Sequence, residues 1–145
     1  QLEQVDNALR PVRRIAAPPT PTSGWIRTIR EGLGMTQAQL AKRLRITRQA
    51  VDDLERGEAS GKITLERLRR LAEALQCRLV YVVVPDKPLA ELRRSRATKI
   101  AETQLKRVSH SMKLEAQGVK QHEAKRQLAR LIDEILSENP RKLWD

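Results

Sequence analysis

Between Ser23 and Gln76 apolar residues return every three or four positions: Trp25, Ile26, Ile29 and Leu33; Leu40 and Leu44; Val51 and Leu54; then Leu65, Leu68, Leu71 and Leu75. That period puts them on one face of a helix, so the stretch predicts four short helices, each burying a single stripe. The punctuation between them agrees. Thr36 and Gln39 have capping-box spacing, Thr47 and Thr64 are candidate N-caps, and glycines in "LGMT" and "ERGEASGK" stand where helices should stop.

The flanks change character. Leu2, Val5 and Leu9 predict a short helical piece, and "RPVRRIAAPPTPT" follows, whose prolines break helices and favour extended chain; residues 1–22 therefore read as an N-terminal arm and a Pro-rich linker. After the helices, "CRLVYVVVP" is rich in β-branched residues and predicts one strand within 78–86, ended by Pro85. Leu89, Leu92, Ile100, Leu105, Val108 and Met112 then predict a long helix to about Gln117, with a break at Gly118. Ala124, Leu128, Leu131, Ile132, Ile135 and Leu136 predict another, stopped by Pro140, and Trp144 in the closing "RKLWD" is expected to pack on these helices. The fold class is mainly α: a helical domain at 23–77, a strand at 78–86 and a basic helical extension at 87–145.

Charge decides what such a fold meets. The chain of 145 residues holds 29 Lys and Arg against 18 Asp and Glu, a net +11, which favours a polyanionic partner. The extension from 87 to 145 carries 14 Lys and Arg against 8 Asp and Glu, so it is strongly basic itself. It could line flanking phosphates, hold a partner protein, or pack its apolar stripes on a dimer. With no Phe, two Trp and one Tyr, base-stacking platforms have little material, and duplex DNA becomes the better polyanion. No apolar run spans a bilayer and no signal peptide is legible, so a cytoplasmic protein without a membrane partner is expected.

Enzyme chemistry finds no support in the residues. Cys77 is the single cysteine, set among apolar neighbours as an inert core thiol would be. His110 and His122 lack a third ligand nearby in sequence, and Ser109 and Ser111 beside His110 make no triad, so neither a metal nor another cofactor is expected. There is no acidic metal cluster and no phosphate-cradling glycine loop.

One stretch carries recognition chemistry. With "QAQLAKRLRITRQAVDDLER" on two helices joined by a tight turn, Leu40, Ala41, Leu44, Ile46, Val51 and Leu54 point to one core, and the small Ala41 lets helices cross closely. Arg48, Gln49, Asp52 and Asp53 then face outward at the start of the second helix, the end that a helix-turn-helix unit presents to the major groove. Arginine can bridge guanine O6 and N7, glutamine adenine N6 and N7, and aspartate can accept from the cytosine amino group. A bare phosphate binder would gain nothing from two aspartates. They therefore favour sequence reading; the alternative is that they pair with Arg45, Arg48 or Arg56 across the helix surface, for ~0.3–0.5 kcal/mol each. Arg43, Arg56 and Lys62 are phosphate candidates by charge and by flanking the reading helix.

At these residues the chain resembles the Xre/Cro/C1 family of helix-turn-helix repressors, through "MTQAQLAKRL", "ITRQAVDDLERG" and "ITLERLRRLAEAL". The resemblance implies a lambda-repressor-like domain in which Gln37 and Thr47 hold phosphates, Arg48, Gln49 and Asp53 read bases, and Asp52 is their neighbour. Arg45 stands where the family usually has a turn glycine, so the turn is either left-handed at a cost or differently shaped.

A lone strand from Leu79 through Val80, Tyr81, Val82 and Val83 to Val84 needs a second strand. The same strand of another copy, paired about a two-fold axis, would supply it and give the homodimer a palindromic operator requires. This looks like the antitoxin repressors of kinase toxins; a hairpin with the arm or tail is the alternative. The order of elements, with "VSHSMKLEAQGV" and "KLWD", also resembles the mobile mystery protein A family, which implies an autoregulatory, antitoxin-like role beside a Fic-type toxin partner. The inhibitory Fic-antitoxin pattern is absent; "TKIAET" from Thr98 comes nearest. The expected function is a sequence-specific DNA-binding transcription regulator, a repressor acting as a homodimer, the alternative being a module that grips a toxin through its C-terminal helices.

Overall fold

The computed structural model describes residues 1–110 and 119–145, and the chain divides into two compact units, 16–83 and 1–15 together with 84–145. Ser111, Met112, Gln117 and the break expected at Gly118 lie outside the described residues. The first unit is built of α2 (Trp25–Gly32), α3 (Gln37–Leu44), α4 (Arg48–Ala59) and α5 (Leu65–Ala74). The second is built of α1 (Leu2–Arg13), α6 (Leu89–His110), α7 (Val119–Ser137) and a 3-10 turn, Pro140–Leu143.

In the 16–83 unit the apolar stripes close on one core. Ile26, Leu40, Ala41, Val51, Leu71, Ala72 and Leu75 are buried, with Leu44, Ile46, Leu54 and Cys77 packed against them. The predicted punctuation is present as hydrogen bonds. Thr36 Oγ1 accepts from Gln39 N while Gln39 Oε1 accepts from Thr36 N, and Thr47 and Thr64 accept from the amides of Ala50 and Arg67. Each satisfies a helix-start donor that would otherwise lack a partner. α2 starts differently: Trp25 N and Ile26 N donate at 2.8 and 2.9 Å to the carboxylate of Glu58, far along the chain on α4. Gly24 makes room for it, with φ +81° and a site where any Cβ would lie 2.8 Å from Glu58 Oε2.

Arg45 ends α3 at φ +56° and ψ +42°, so the turn keeps the left-handed shape usual for glycine. A side chain there costs ~1 kcal/mol, so Arg45→Gly is expected to raise the unfolding free energy by about that amount and the denaturation midpoint with it. Urea denaturation measures it; a lower midpoint would mean that the arginine side chain stabilises the turn through a contact of its own.

Two features of the first unit lie on the apolar stripes yet are charged. Arg30 and Glu55 are only 6% and 3% exposed, and they form a two-pronged pair, Nε to Oε1 at 2.6 Å and Nη2 to Oε2 at 3.1 Å. Arg30 Nη1 also donates to Met35 O at 2.8 Å, which ties the α2–α3 connection to the same pair. Burial makes this a costly arrangement unless both partners are present.

The strand expected at 78–86 is not formed: no β-strand occurs among the described residues, and 77–86 runs as irregular chain between α5 and α6. A strand exists by its ladder, and the single chain offers this segment none. Val80, Tyr81, Val82, Val83 and Val84 are all exposed, Val83 by 84%.

The other unit corrects three expectations. The N-terminal piece is not a free arm: α1 runs on through Pro11 to Arg13, and Asp6 accepts from Leu89 N and Ala90 N, capping α6. Those backbone donors, with Arg13 and Arg10 adding to them, hold the Asp6 carboxyl below its usual range. The α1–α6 link is thus at full strength above the ordinary aspartate range and weakens as acid protonates Asp6. Of the apolar positions expected along α6, Ile100 packs against the core, but its centre is Ala97 and Ala101, both fully buried with Ile132 of α7 and Leu143. Two alanines one turn apart let α7 approach closely, whereas Val108 is 56% exposed. Finally, Leu143 rather than Trp144 anchors the tail: Trp144 is 61% exposed, and Arg96 Nε holds Leu143 O at 2.6 Å.

Candidate nucleic-acid interface

The turn Arg45–Ile46–Thr47 sets α4 across α3, with Val51 buried and Leu54 half-buried on its inner face. The opposite face carries Arg48, Gln49 and Asp53, all exposed, while Asp52 is half-buried. Arg48 lies in the first turn and, among the described residues, its side chain makes no hydrogen bond or ion pair. A planar donor fork at the start of an exposed helix, unspent within the protein, is what a guanine edge or a phosphate can use.

The two aspartates are partly spent. Arg56 Nη2 donates to both, Asp52 Oδ2 at 2.5 Å and Asp53 Oδ1 at 3.1 Å, and Gln49 Nε2 donates to Asp53 Oδ1 at 3.2 Å. The surface pairing expected as one alternative is therefore present, made by Arg56 rather than by Arg45 or Arg48. It coexists with base reading only if Asp53 and Gln49 release each other at the groove, so Arg48 is the readiest of the four for an immediate contact.

Gln37 is similarly engaged. Its Nε2 donates to Asp52 Oδ1 at 3.1 Å and to Glu55 Oε2 at 3.0 Å, linking the outer acid to the buried Arg30–Glu55 pair. The Gln37 bond is the main reason that the Asp52 carboxyl stays below its usual range, with Arg56 assisting. What Gln37 can still offer a phosphate is its backbone N–H, which with that of Ala38 points from the open start of α3. A depression beside this helix start is lined by Arg27, Thr36, Gln37, Ala38, Arg48 and Asp52. Arg27 there is shared with Glu31, Nε to Oε1 at 2.8 Å.

Thr47 caps α4 by accepting from Ala50 N, which leaves its hydroxyl proton for an outside acceptor. Arg43 points its Nη1 to Ala74 O at 3.1 Å and so ties α3 to the end of α5. Lys62 is exposed in the connection from α4 to α5, and its ammonium has no partner among the described residues. The structure thus brings Gln37, Thr47, Arg48, Gln49, Asp52, Asp53 and Arg56 onto the α3 start and the α4 face, gives Arg43 an internal bond, and gives Lys62 no partner among the described residues.

Sequence reading missed Arg30, Glu55 and Glu58. A signal existed for the first two: Arg30 stands four after Ile26 and Glu55 four after Val51, so each apolar stripe continues into a charge, and the charges are opposite. No local pattern announces Glu58 as a cap for a helix 32 residues upstream.

Comparison with known proteins gives one family: residues 26–82 match the family described as Helix-turn-helix. No curated protein and no solved structure matches the chain. Among the described residues no helix is long and apolar enough to cross a membrane, and no group of three or more His, Cys, Asp or Glu could hold a metal ion.

Proposed function

We propose, taking residues 26–82 as the helix-turn-helix domain of a DNA-binding transcription regulator, that this chain reads a specific operator with α4 and acts as a repressor. The observation that carries the reading is Arg48, exposed and without a side-chain partner among the described residues, in the first turn of a helix whose inner face is locked into the core. The open start of α3, the Thr47 hydroxyl and Lys62 supply phosphate contacts around it, which set register without reading sequence. Asp52 and Asp53 then refuse a bare polyanion and favour a matched base edge.

A homodimer on a palindromic site fits this reading. The exposed apolar run from Val80 to Val84 is a surface a second copy would cover, and two copies give two reading helices. Autoregulation and an antitoxin-like role beside a Fic-type partner extend the reading through the likeness to mobile mystery protein A; a co-purifying partner that releases the DNA would support them.

Selection of a bound sequence from a random duplex pool, followed by titration of variants, tests the core of the proposal. Arg48→Ala is expected to lose about 1–3 kcal/mol of preference for the selected site over random duplex. Arg56→Ala, which leaves two aspartates unneutralised near the backbone, is expected to weaken all duplexes alike. Equal loss on selected and random DNA for Arg48→Ala would remove base reading from this residue.

A further inference from the structure

The 16–83 unit contains a cleft whose apolar interior the DNA reading does not use. It measures about 410 Å³ and opens between α4, α5 and the turn before α4. Its interior is apolar, formed by Leu44, Ile46, Ala50, Leu54, Ile63 and Leu71. Leu71 belongs to the buried core, and the others, half-buried, have one side on the core and the other on this space.

Its charge is lopsided. Lys62, Arg67 and Arg70 also line it, all exposed, and the side chain of none makes a hydrogen bond or ion pair among the described residues. Asp53 is the one acid in the lining, and it is already taken by Arg56 and Gln49. On α5, Arg67, Arg70 and Leu71 are three and four apart, so two cations and a core leucine share one face. Three unneutralised cations around an apolar hollow repel one another until an anion arrives.

We propose that this cleft binds a small amphipathic carboxylate, its apolar body against Leu54, Ile63 and Leu71 and its carboxylate on Arg67, Arg70 and Lys62, and that occupancy loosens DNA. The volume lies in the range of small-molecule sites, about 300–1,000 Å³. The apolar interior separates this occupant from a DNA phosphate, which has no apolar part to bury and needs only the rim. Two guanidiniums one turn apart on α5 suit a carboxylate, since each can donate in a fork.

The consequence for DNA rests on the function proposed above. Ala50, Asp53, Leu54 and Gly57 of the reading helix wall the cleft, and Lys62 is a phosphate candidate on its rim. A bound carboxylate would claim Lys62 and place negative charge beside α4, so it binds better to free protein than to the DNA complex. By linkage, DNA affinity must fall as the site fills.

Decanoate, titrated into the full chain below its micelle concentration and followed by calorimetry, is the probe. Saturable binding at one site per chain is expected, weakened about tenfold or more in an Arg67→Ala/Arg70→Ala variant, as for loss of charge-assisted hydrogen bonds. Hexanoate should bind more weakly than decanoate, and inorganic phosphate at matched ionic strength more weakly still. Binding that ignores the double variant, or phosphate binding as tight as decanoate, overturns the site and leaves a phosphate clamp or a nonspecific apolar surface. Decanoate should also lower affinity for the selected duplex in the wild-type chain, an effect lost in the double variant. Decanoate binding without that drop overturns the coupling alone, and a chain that binds decanoate but no duplex at all overturns the DNA reading while the site stands.

Discussion

Glu55→Ala is expected to cost about 3–5 kcal/mol of stability in the 16–83 unit, because it strands the Arg30 guanidinium in the interior without its partner. Arg30 is 6% exposed and gives three donors, two to Glu55 and one to Met35 O. Removing the carboxylate leaves a nearly buried charge whose remaining acid, Glu31, stands farther off, Oε1 at 3.7 Å from Nη2, exposed to solvent and already held by Arg27. Gln37 loses an acceptor in the same stroke, so α2, α3 and α4 all lose a shared fastening. The control is Arg30→Met with Glu55→Leu, in which both charges leave together; its stability should return to within about 1–2 kcal/mol of the starting chain, since an apolar replacement carries no desolvation penalty. Urea denaturation in a Trp144→Phe background, where Trp25 alone reports, measures both. A midpoint unmoved by Glu55→Ala would show that solvent reaches the pair and that burial does not set its energy.

The second large effect falls on the other unit. Leu143→Ala is expected to cost about 2–5 kcal/mol, the usual range for emptying a filled leucine site. Leu143 is 1% exposed and packs with Ala97, Ala101 and Ile132, two of which are alanines with little side chain to move into the space. Amide exchange should speed up at Ala97, Ala101 and Ile132, while Leu40, Val51 and Leu71 keep their protection, because the two cores share no residue. Trp144→Ala, at a side chain 61% exposed, should change stability by less than about 0.5 kcal/mol. Loss of protection in both units after Leu143→Ala would contradict separate cores.

The contrast between Leu143 and Trp144 shows where sequence reading ends. Both belong to one short tail, and size and apolarity favour the tryptophan for burial. The 3-10 turn at Pro140–Leu143 decides otherwise, since it aims one side chain inward and Arg96 then fastens the backbone at that residue. The same holds for α6, where leucines look like a core stripe and alanines are the core, because how closely α7 packs is a property of two helices together. The segment 77–86 is another case: β-branched residues state a preference, but a ladder needs a neighbour.

What the chain's order of residues determined by itself was everything that acts within one or two turns. The four helices of 16–83, the capping box at Thr36 and Gln39, the caps at Thr47 and Thr64, and the outward set of Arg48, Gln49 and Asp53 all follow from spacings of three and four, which a helix converts directly into shared faces. Only the tertiary structure decided what distant residues do to one another: that Glu58 caps α2, that Asp6 caps α6, that Arg30 finds Glu55, and that Gln37 donates to Asp52. Those bonds join residues whose separation along the chain carries no periodic mark, and their energies depend on burial, which exists only once the elements have packed.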